Sequence, residues 1–446
     1  MSVTRERSDG TVHFPPDGRL IGLGLALVAI VFVTISPLAL VSLGLNYDET
    51  GGSPLEKVHP ATLLSVAMLG LAALYQRNPL SGFMSALLSY PGTAFFLLMI
   101  ALLVVHSIRV VGLPFTFFFD TFLAPVMVFF LFKDMREARA RRFVWLFHTL
   151  MMTNAVVGIL EFATGFRITP LVASGLVIED DWRSTALLGH PLANASLTGA
   201  YILALALGAA RELPRALAVA GFVIASAGMV VFGGRASSII LLVMLVALGV
   251  SRAAEFARGK RFKTRAIISA LVALPILSLC LGGLAEAGFF DQFIERFFDD
   301  QGSADTRVEM FELFKHISWG ELLLAPDAQQ LSTLRTIYGL DFGIESFFIS
   351  FVLSYGIIPG IAFFAGLYFF CRDVVRSLRP GATWVLVFFF AVALTSVSLS
   401  AKTPLLAVLI LMLLVLMRPI RSAQAVAPAR TPRFQLTPPL MPSKTA

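Results

Sequence analysis

Apolar residues dominate this chain in runs of about twenty, separated by short polar links and one long one. A window of about 19 residues picks out hydrophobic spans near 20–45, 58–76, 93–111, 114–132, 142–164, 191–210, 213–231, 235–251, 265–284, 345–371, 382–400 and 403–418. About twelve membrane helices are therefore expected, in an all-α polytopic fold. The long break runs from about Leu284 to Glu345 and should be the only sizeable piece outside the bilayer. It opens acidic (Asp291, Glu295, Asp299, Asp300), passes Asp305-Thr306-Arg307 and closes on Asp341-Phe342-Gly343-Ile344-Glu345. Directly afterwards Ser346-Phe347-Phe348-Ile349-Ser350 re-enters the membrane, at the head of the span 345–371.

Inside the break, Thr306-Arg307-Val308-Glu309 reads as a capping box. Val308, Phe311, Phe314 and Ile317 follow on one helical face, so an amphipathic helix is expected over 305–318. The run from Gly320 to Asp341 reads as irregular. The chain divides into a segment 1–19, a first helix group 20–284, an outside loop 285–344, C-terminal membrane helices 345–418, and a Pro- and Ala-rich tail 419–446 expected to be disordered.

Composition agrees with this pattern. Hydrophobic residues make up 57% and charged ones 14%, against roughly 25% charged in soluble domains. Mean hydropathy is +0.82. Forty Phe and 34 Gly suit closely packed membrane helices. The first apolar run is too long for the core of a cleavable signal peptide. Cys280 and Cys371 both fall in or at the end of apolar runs, so no disulfide framework or metal cluster is implied.

The net charge of +7 is explained by topology. With the N-terminus placed inside, 25 of the 35 Lys and Arg fall in inside segments and 10 outside, as the positive-inside rule requires. Both termini are then cytoplasmic and the long loop is outside. No basic run carries interleaved aromatics, so nucleic acid is not an expected partner.

Six residues stand out as candidate chemistry. Arg183, Arg235 and Arg307 are all expected at the outer face, and a guanidinium fork suits diphosphate oxygens. Interfacial arginines also snorkel to lipid headgroups, which is the plainer reading. His190 and Asn194 stand at the start of a span, where polar groups either line a site or bond between helices. Glu345 is the sharpest candidate, a carboxylate at a helix entrance able to take a proton from a hydroxyl; it could instead serve only as a capping charge. Glu161 and Lys402 are further charges inside spans. No P-loop, dinucleotide fingerprint, nucleotide-sugar DxD motif or zinc spacing occurs, so a leaving diphosphate would depend on cationic side chains.

Trp182 to Leu367 resembles the O-antigen ligase/polymerase family, and within it exopolysaccharide polymerase-like membrane proteins. The resemblance rests on Arg183 with Gly-His190-Pro-Leu-Ala-Asn194, Gly-Gly-Arg235-Ala-Ser-Ser, Asp-Thr-Arg307, and Gly-Ile-Glu345-Ser-Phe-Phe-Ile-Ser-Phe-Val-Leu-Ser-Tyr-Gly-Ile-Ile-Pro-Gly. The family often carries His where this chain has Glu345. The resemblance implies a multi-span C-type glycosyltransferase of the bacterial inner membrane, acting at the periplasmic face without cofactor or metal. Undecaprenyl-diphosphate-linked glycan would be the donor and a second glycan the acceptor. Glu345 would be the base, Arg183, Arg235 and Arg307 the diphosphate ligands, and His190 and Asn194 the substrate-orienting groups. Membrane lipid and proteins of polysaccharide export and chain-length control would be its partners. A ligase acting on the same donor, a solute transporter and a structural subunit of an export complex remain alternatives.

Overall fold

The structure is a computed structural model and describes residues 18–47, 52–76, 78–111, 115–173, 176–178, 181–259, 286, 288–298, 309–340 and 343–419. Arg307, the expected capping box and the expected span 265–284 lie outside the described residues. Among the described residues the regular structure is all-helical apart from a two-residue antiparallel ladder, Val172-Ala173 on Leu176-Val177. In chain order the helices are α1 (Arg19–Thr34), α2 (Pro37–Ser42), α3 (Pro60–Leu74), α4 (Pro79–Ser89), α5 (Pro91–Val111) and α6 (Thr116–Phe132). Then come α7 (Glu137–Thr164), α8 (Pro191–Ala206), α9 (Arg215–Phe232), α10 (Arg235–Ala257) and α11 (Asp291–Phe298). The last six are α12 (Trp319–Leu324), α13 (Ala328–Ile337), α14 (Phe347–Tyr355), α15 (Ile357–Arg376), α16 (Ala382–Ala393) and α17 (Leu405–Leu416).

Among the described residues five helices, α5, α7, α9, α10 and α15, are long and apolar enough to cross a membrane, and seven shorter apolar helices accompany them. Proline sets many of the boundaries. α2, α3, α4, α5 and α8 all begin on one, where its missing N–H costs nothing and its fixed φ suits the first turn. Pro37 also splits the expected span 20–45. The residue before a proline is driven extended, and Ser36 sits at φ −88°, ψ 161°.

α17 is the hub. All twelve of its residues are buried, enclosed by α1, α6, α7 and α8. It is also short, about 18 Å against about 42 Å for the 28 residues of α7. The two helices are aligned at one end, where Arg418 after α17 pairs with Glu137 in the first turn of α7. The other end of α17 therefore stops well below the tip of α7. α16, also 12 residues, leads into the same recessed link 394–404. The bundle thus has a dished end, which also carries the 165–190 and 309–346 loops. It is called the loop end below.

The span expected over 345–371 is two helices. Phe351 stacks on Phe363 at 4.5 Å and Phe348 lies 4.7 Å from Phe364, so α14 and α15 run antiparallel as a hairpin. Gly356 is the turn, at φ 91°, and a Cβ there would come 2.5 Å from the Leu324 carbonyl carbon. Hydropathy hides the break because the chain is apolar on both sides of it. Glu345, preceding the first arm, is accordingly set back from the hairpin tip, at the level of Phe347, which packs on Phe122 and Phe364.

The long loop has its own small core of Met310, Leu313, Ile317, Leu322, Leu331, Leu340 and Ile344 with Leu353 of α14. Of the stripe expected from Val308, Phe311, Phe314 and Ile317, Ile317 is buried and Phe314 packs against the core, but Phe311 is 56% exposed and Met310 and Leu313 are buried in its place; Val308 lies outside the described residues. A 3-10 turn at Leu313–His316 tightens the chain, and Ser318 with Glu321 forms a capping box that starts α12 anew. The segment from Gly320, expected to be irregular, is largely helical as α12 and α13.

Gly356→Ala is expected to cost at least about 2 kcal/mol, from left-handed strain plus the clash with α12. Thermal unfolding in detergent would measure it; an unchanged midpoint would rule out the tight turn.

Candidate functional site

The site grows from one carboxylate. Glu161 lies in the last turn of α7 and is 4% exposed. Its Oε1 accepts the Ile168 N–H at 2.9 Å, and its Oε2 accepts the N–H groups of Thr185 and Ala186 at 2.9 and 2.8 Å. Charge-assisted bonds of this kind keep a buried carboxylate satisfied. Ala186 takes a left-handed φ of 42° in making its bond. Ser184 Oγ donates to the Gly158 carbonyl at 2.6 Å and Thr185 Oγ1 to that of Thr169 at 2.6 Å. The loop between α7 and α8 is thereby folded back onto the bundle.

Asn194 completes the clamp. Its Nδ2 donates to the carbonyls of Thr185 at 2.5 Å and His190 at 3.1 Å, and its Oδ1 accepts from Asn154 Nδ2 at 2.8 Å. Asn154 Oδ1 in turn accepts the Leu187 N–H at 3.0 Å. Asn194 is buried with these bonds made inside the protein, so its geometry is that of a residue positioning His190 and the 185–187 turn.

His190 caps α8. Its Nδ1 accepts the Leu192 N–H at 3.2 Å, which leaves the proton on Nε2. Burial, and after it the neighbouring Arg183 guanidinium, push this imidazole down to about 4. It is a neutral N–H donor near neutral pH.

Arg183 comes to the same place. The stem of Arg183 and the Trp182 ring lie over Gly233, where a Cβ would be 2.9 and 3.0 Å from them. Gly233 ends α9 at φ 62°. Gly234 in turn lies against Ala195 of α8, a Cβ there coming 2.4 Å from the alanine methyl, and Arg235 then opens α10. The glycine pair thus brings three helix ends together, with Arg235 following it at the same end of the bundle as Arg183 and His190. Arg183 is held by Asp181, its Nε donating to both carboxylate oxygens at 2.9 Å and its Nη2 pairing with Oδ2.

A cavity of about 470 Å³ opens behind this turn, lined by Glu161, Phe162, Arg167, Asp181, Trp182 and Gln292. Trp182 and Phe162 meet edge to face at 6.0 Å. Arg167 Nη1 is tied to the Ile178 carbonyl at 3.0 Å.

A second polar group forms the floor of the dish. Asp120 sits in a π-turn, Phe119–Leu123, inside α6. It accepts the Tyr47 hydroxyl at 2.8 Å and the His59 N–H at 3.0 Å. His59 Nδ1 takes the Ala61 N–H, so Nε2 is the donor to the Ile35 carbonyl at 2.7 Å. Lys402 Nζ bonds the Tyr47 carbonyl at 2.8 Å and stands 3.8 Å over the Tyr47 ring. This floor joins the Arg183 group through Ser36, which touches Gly189.

Four of the six candidates, Arg183, His190, Asn194 and Arg235, are therefore gathered at the loop end. Glu345 stands at the hairpin foot, with Gly343 against Val397 of the recessed link, and Arg307 is outside the described residues. Sequence reasoning missed Asp120, Tyr47 and His59, and left Glu161 and Lys402 without partners. A signal existed for the floor: His59-Pro60 repeats the His190-Pro191 cap. Among the described residues no three His, Cys, Asp or Glu side chains gather as a metal site.

By fold and composition the chain is an α-helical membrane-embedded protein. A scan of protein-family models and a search of curated proteins match nothing to it.

Glu161→Gln would turn an amide against backbone N–H groups and is expected to cost about 2–4 kcal/mol. Limited proteolysis should then cut within 166–183; an intact loop and unchanged unfolding would remove Glu161 as the anchor. For His190 the depressed value means that the unfolded chain takes up a proton below about 6.5 while the fold does not until about 4. Stability should fall as pH drops through that window, and His190→Gln should flatten the slope in pH-dependent unfolding.

Proposed function

We propose that this protein is a glycosyltransferase that polymerises lipid-diphosphate-linked oligosaccharides at the loop end of its bundle, taken as the outer face from the Lys/Arg distribution. The observation that carries the reading is the abutment of three helix ends that bear Arg183 with the His190 Nε2–H, and Arg235 one residue past the glycine pair, beside a recessed polar floor. Two guanidinium groups and a neutral N–H donor are suited to a diphosphate that gains charge as it leaves. The resemblance of 182–367 to the O-antigen ligase/polymerase family gives the same direction.

In the reaction the acceptor hydroxyl gives its proton to Glu345, and its oxygen attacks the anomeric carbon of the donor. The bond from that carbon to the lipid diphosphate breaks, and the diphosphate departs with the electron pair. Arg235, Arg183 and His190 stabilise it, with Arg307 as a further ligand from the loop. Asn194 and Asp181 act through the groups they hold. The cavity beside Trp182 offers an aromatic edge with carboxylates and a guanidinium, suited to a sugar unit. The donor would be undecaprenyl-diphosphate-linked glycan in a bacterial inner membrane.

A second reading has its own observation. The buried Asp120–Tyr47–His59–Lys402 group is the kind of intramembrane ionisable cluster found along solute paths, which favours a transporter. A ligase would use the same outer residues as the polymerase.

Purified protein given lipid-diphosphate oligosaccharide should lengthen the glycan. Glu345→Gln should lower the rate at least ~100-fold and Arg235→Lys about 10-fold or more, both with the protein still folded in the membrane. Transfer to another acceptor without lengthening would mean a ligase, and uptake of solute without new glycan a transporter. Normal chain lengths from Glu345→Gln would sink the proposed base, and inhibition by a chelator would contradict the metal-free route.

A further inference from the structure

The end of the bundle opposite the loops holds a second built cavity, and nothing in the proposed reaction uses it. It has a volume of about 400 Å³ and is lined by Arg141, Arg211, Arg379 and Arg418 with Glu137 and Glu212. The residues come from four places in the chain: the start of α7, the turn after α8, the link between α15 and α16, and the end of α17. Four guanidinium groups face two carboxylates, which leaves two positive charges uncompensated around the cavity.

The carboxylates are already committed. Arg418 Nη2 binds Glu137 Oε1 at 2.5 Å and Glu212 Oε1 at 3.4 Å. Arg379 spends its outer nitrogens on helix-end carbonyls, Nη2 on Leu416 at 2.5 Å and Nη1 on Gly208 at 3.4 Å. The Nε atoms of both Arg379 and Arg418 are buried and have no hydrogen-bond partner. A buried donor left unmade costs free energy, and two of them beside the cavity show that this cluster holds more donors than the protein's own acceptors satisfy. Arg211 lies over Gly208, its Nε 3.0 Å from where a Cβ would stand, which brings it to the carbonyl that Arg379 holds. Burial and then the nearby Arg211 guanidinium lower the Arg379 value, the sign of cations crowded without enough anion. Arg141 and Arg211 have no carboxylate partner among the described residues.

We infer that this cavity is a binding site for a phosphoryl group, placed at the face of the bundle opposite the glycan chemistry. Guanidinium forks converging from several elements suit a tetrahedral anion with several acceptor oxygens. A charge of −1 to −2 matches the local excess. A cavity of this volume is at the lower end of the size for small-molecule sites and takes a phosphate ester together with the first atoms of its alcohol. The chain beyond Pro419 does not supply the anion from its side chains, since 420–446 contain four basic and no acidic residues. Two sources share the required chemistry, the headgroup of an anionic phospholipid and a soluble phosphate. The site is independent of the proposed glycosyl transfer, and its failure would leave that reading untouched.

The test uses full-length protein in nanodiscs of phosphatidylcholine, with and without phosphatidylglycerol, and with and without inorganic phosphate at constant ionic strength. Thermal unfolding is followed for the wild type and for Arg141→Gln/Arg211→Gln. Both substituted side chains are exposed and make no internal bond in the described structure, so the double variant should fold. Phosphatidylglycerol should raise the wild-type midpoint, and the double variant should require about tenfold more of it for the same shift. A response to inorganic phosphate alone assigns the site to a soluble ligand, and a response to phosphatidylglycerol alone to a lipid headgroup. No response to either, or an equal response in the variant, overturns the site.

Discussion

A buried carboxylate bound by backbone N–H groups is the constraint on which the loop end depends. Glu161 does not meet an arginine or a lysine among its assigned partners; it gathers the amides of Ile168, Thr185 and Ala186. Each such bond to a charged group contributes on the order of 1.5–3 kcal/mol, and together they offset the removal of the charge from water. Because the donors belong to the main chain, the bonds dictate where the loop goes whatever its side chains are. His190 and Arg183 are delivered to Gly233-Gly234 as a result. The electrostatics of the proposed diphosphate site thus begin with an anion whose bonds go to the main chain of the loop and not to the arginines.

The second constraint is a mismatch of lengths. A fully buried helix of twelve residues stands in the middle of a bundle whose longest member has 28. Alignment at one end leaves a depression at the other, and the depression must be lined by groups that can bear water or bond one another. The Asp120–Tyr47–His59–Lys402 set does the second, closing its hydrogen bonds internally. The π-turn at Phe119–Leu123, just ahead of Pro125, belongs to the same solution. A widened turn is a common way for a helix to accommodate a disturbance in its ladder.

Much of this was legible in the linear chain. The apolar runs marked most of the apolar helices to within a few residues, five of them long enough to cross a membrane, and prolines marked several starts. The polar residues at the head of α8 and the Gly-Gly before Arg235 pointed to a shared face. What stayed hidden has identifiable causes. The α14–α15 hairpin turns at Gly356 within an apolar run, so hydropathy carries no trace of it. Glu161 binds backbone amides, which no side-chain pattern reveals. The floor joins Tyr47, His59, Asp120 and Lys402 across more than 350 residues, a pairing only three-dimensional packing creates. In the loop, a 3-10 turn at Leu313–His316 interrupts the expected amphipathic helix, and Met310 and Leu313 join Ile317 in the buried set.

The contact at Gly356 has a mechanical consequence. α12 rests on the backbone of that residue, and nothing larger than hydrogen separates them. From there α14 runs about 13 Å as a rigid rod down to Phe347 and Glu345. The one helix therefore links the contact with α12 at its upper end to the backbone that carries Glu345 at its lower end.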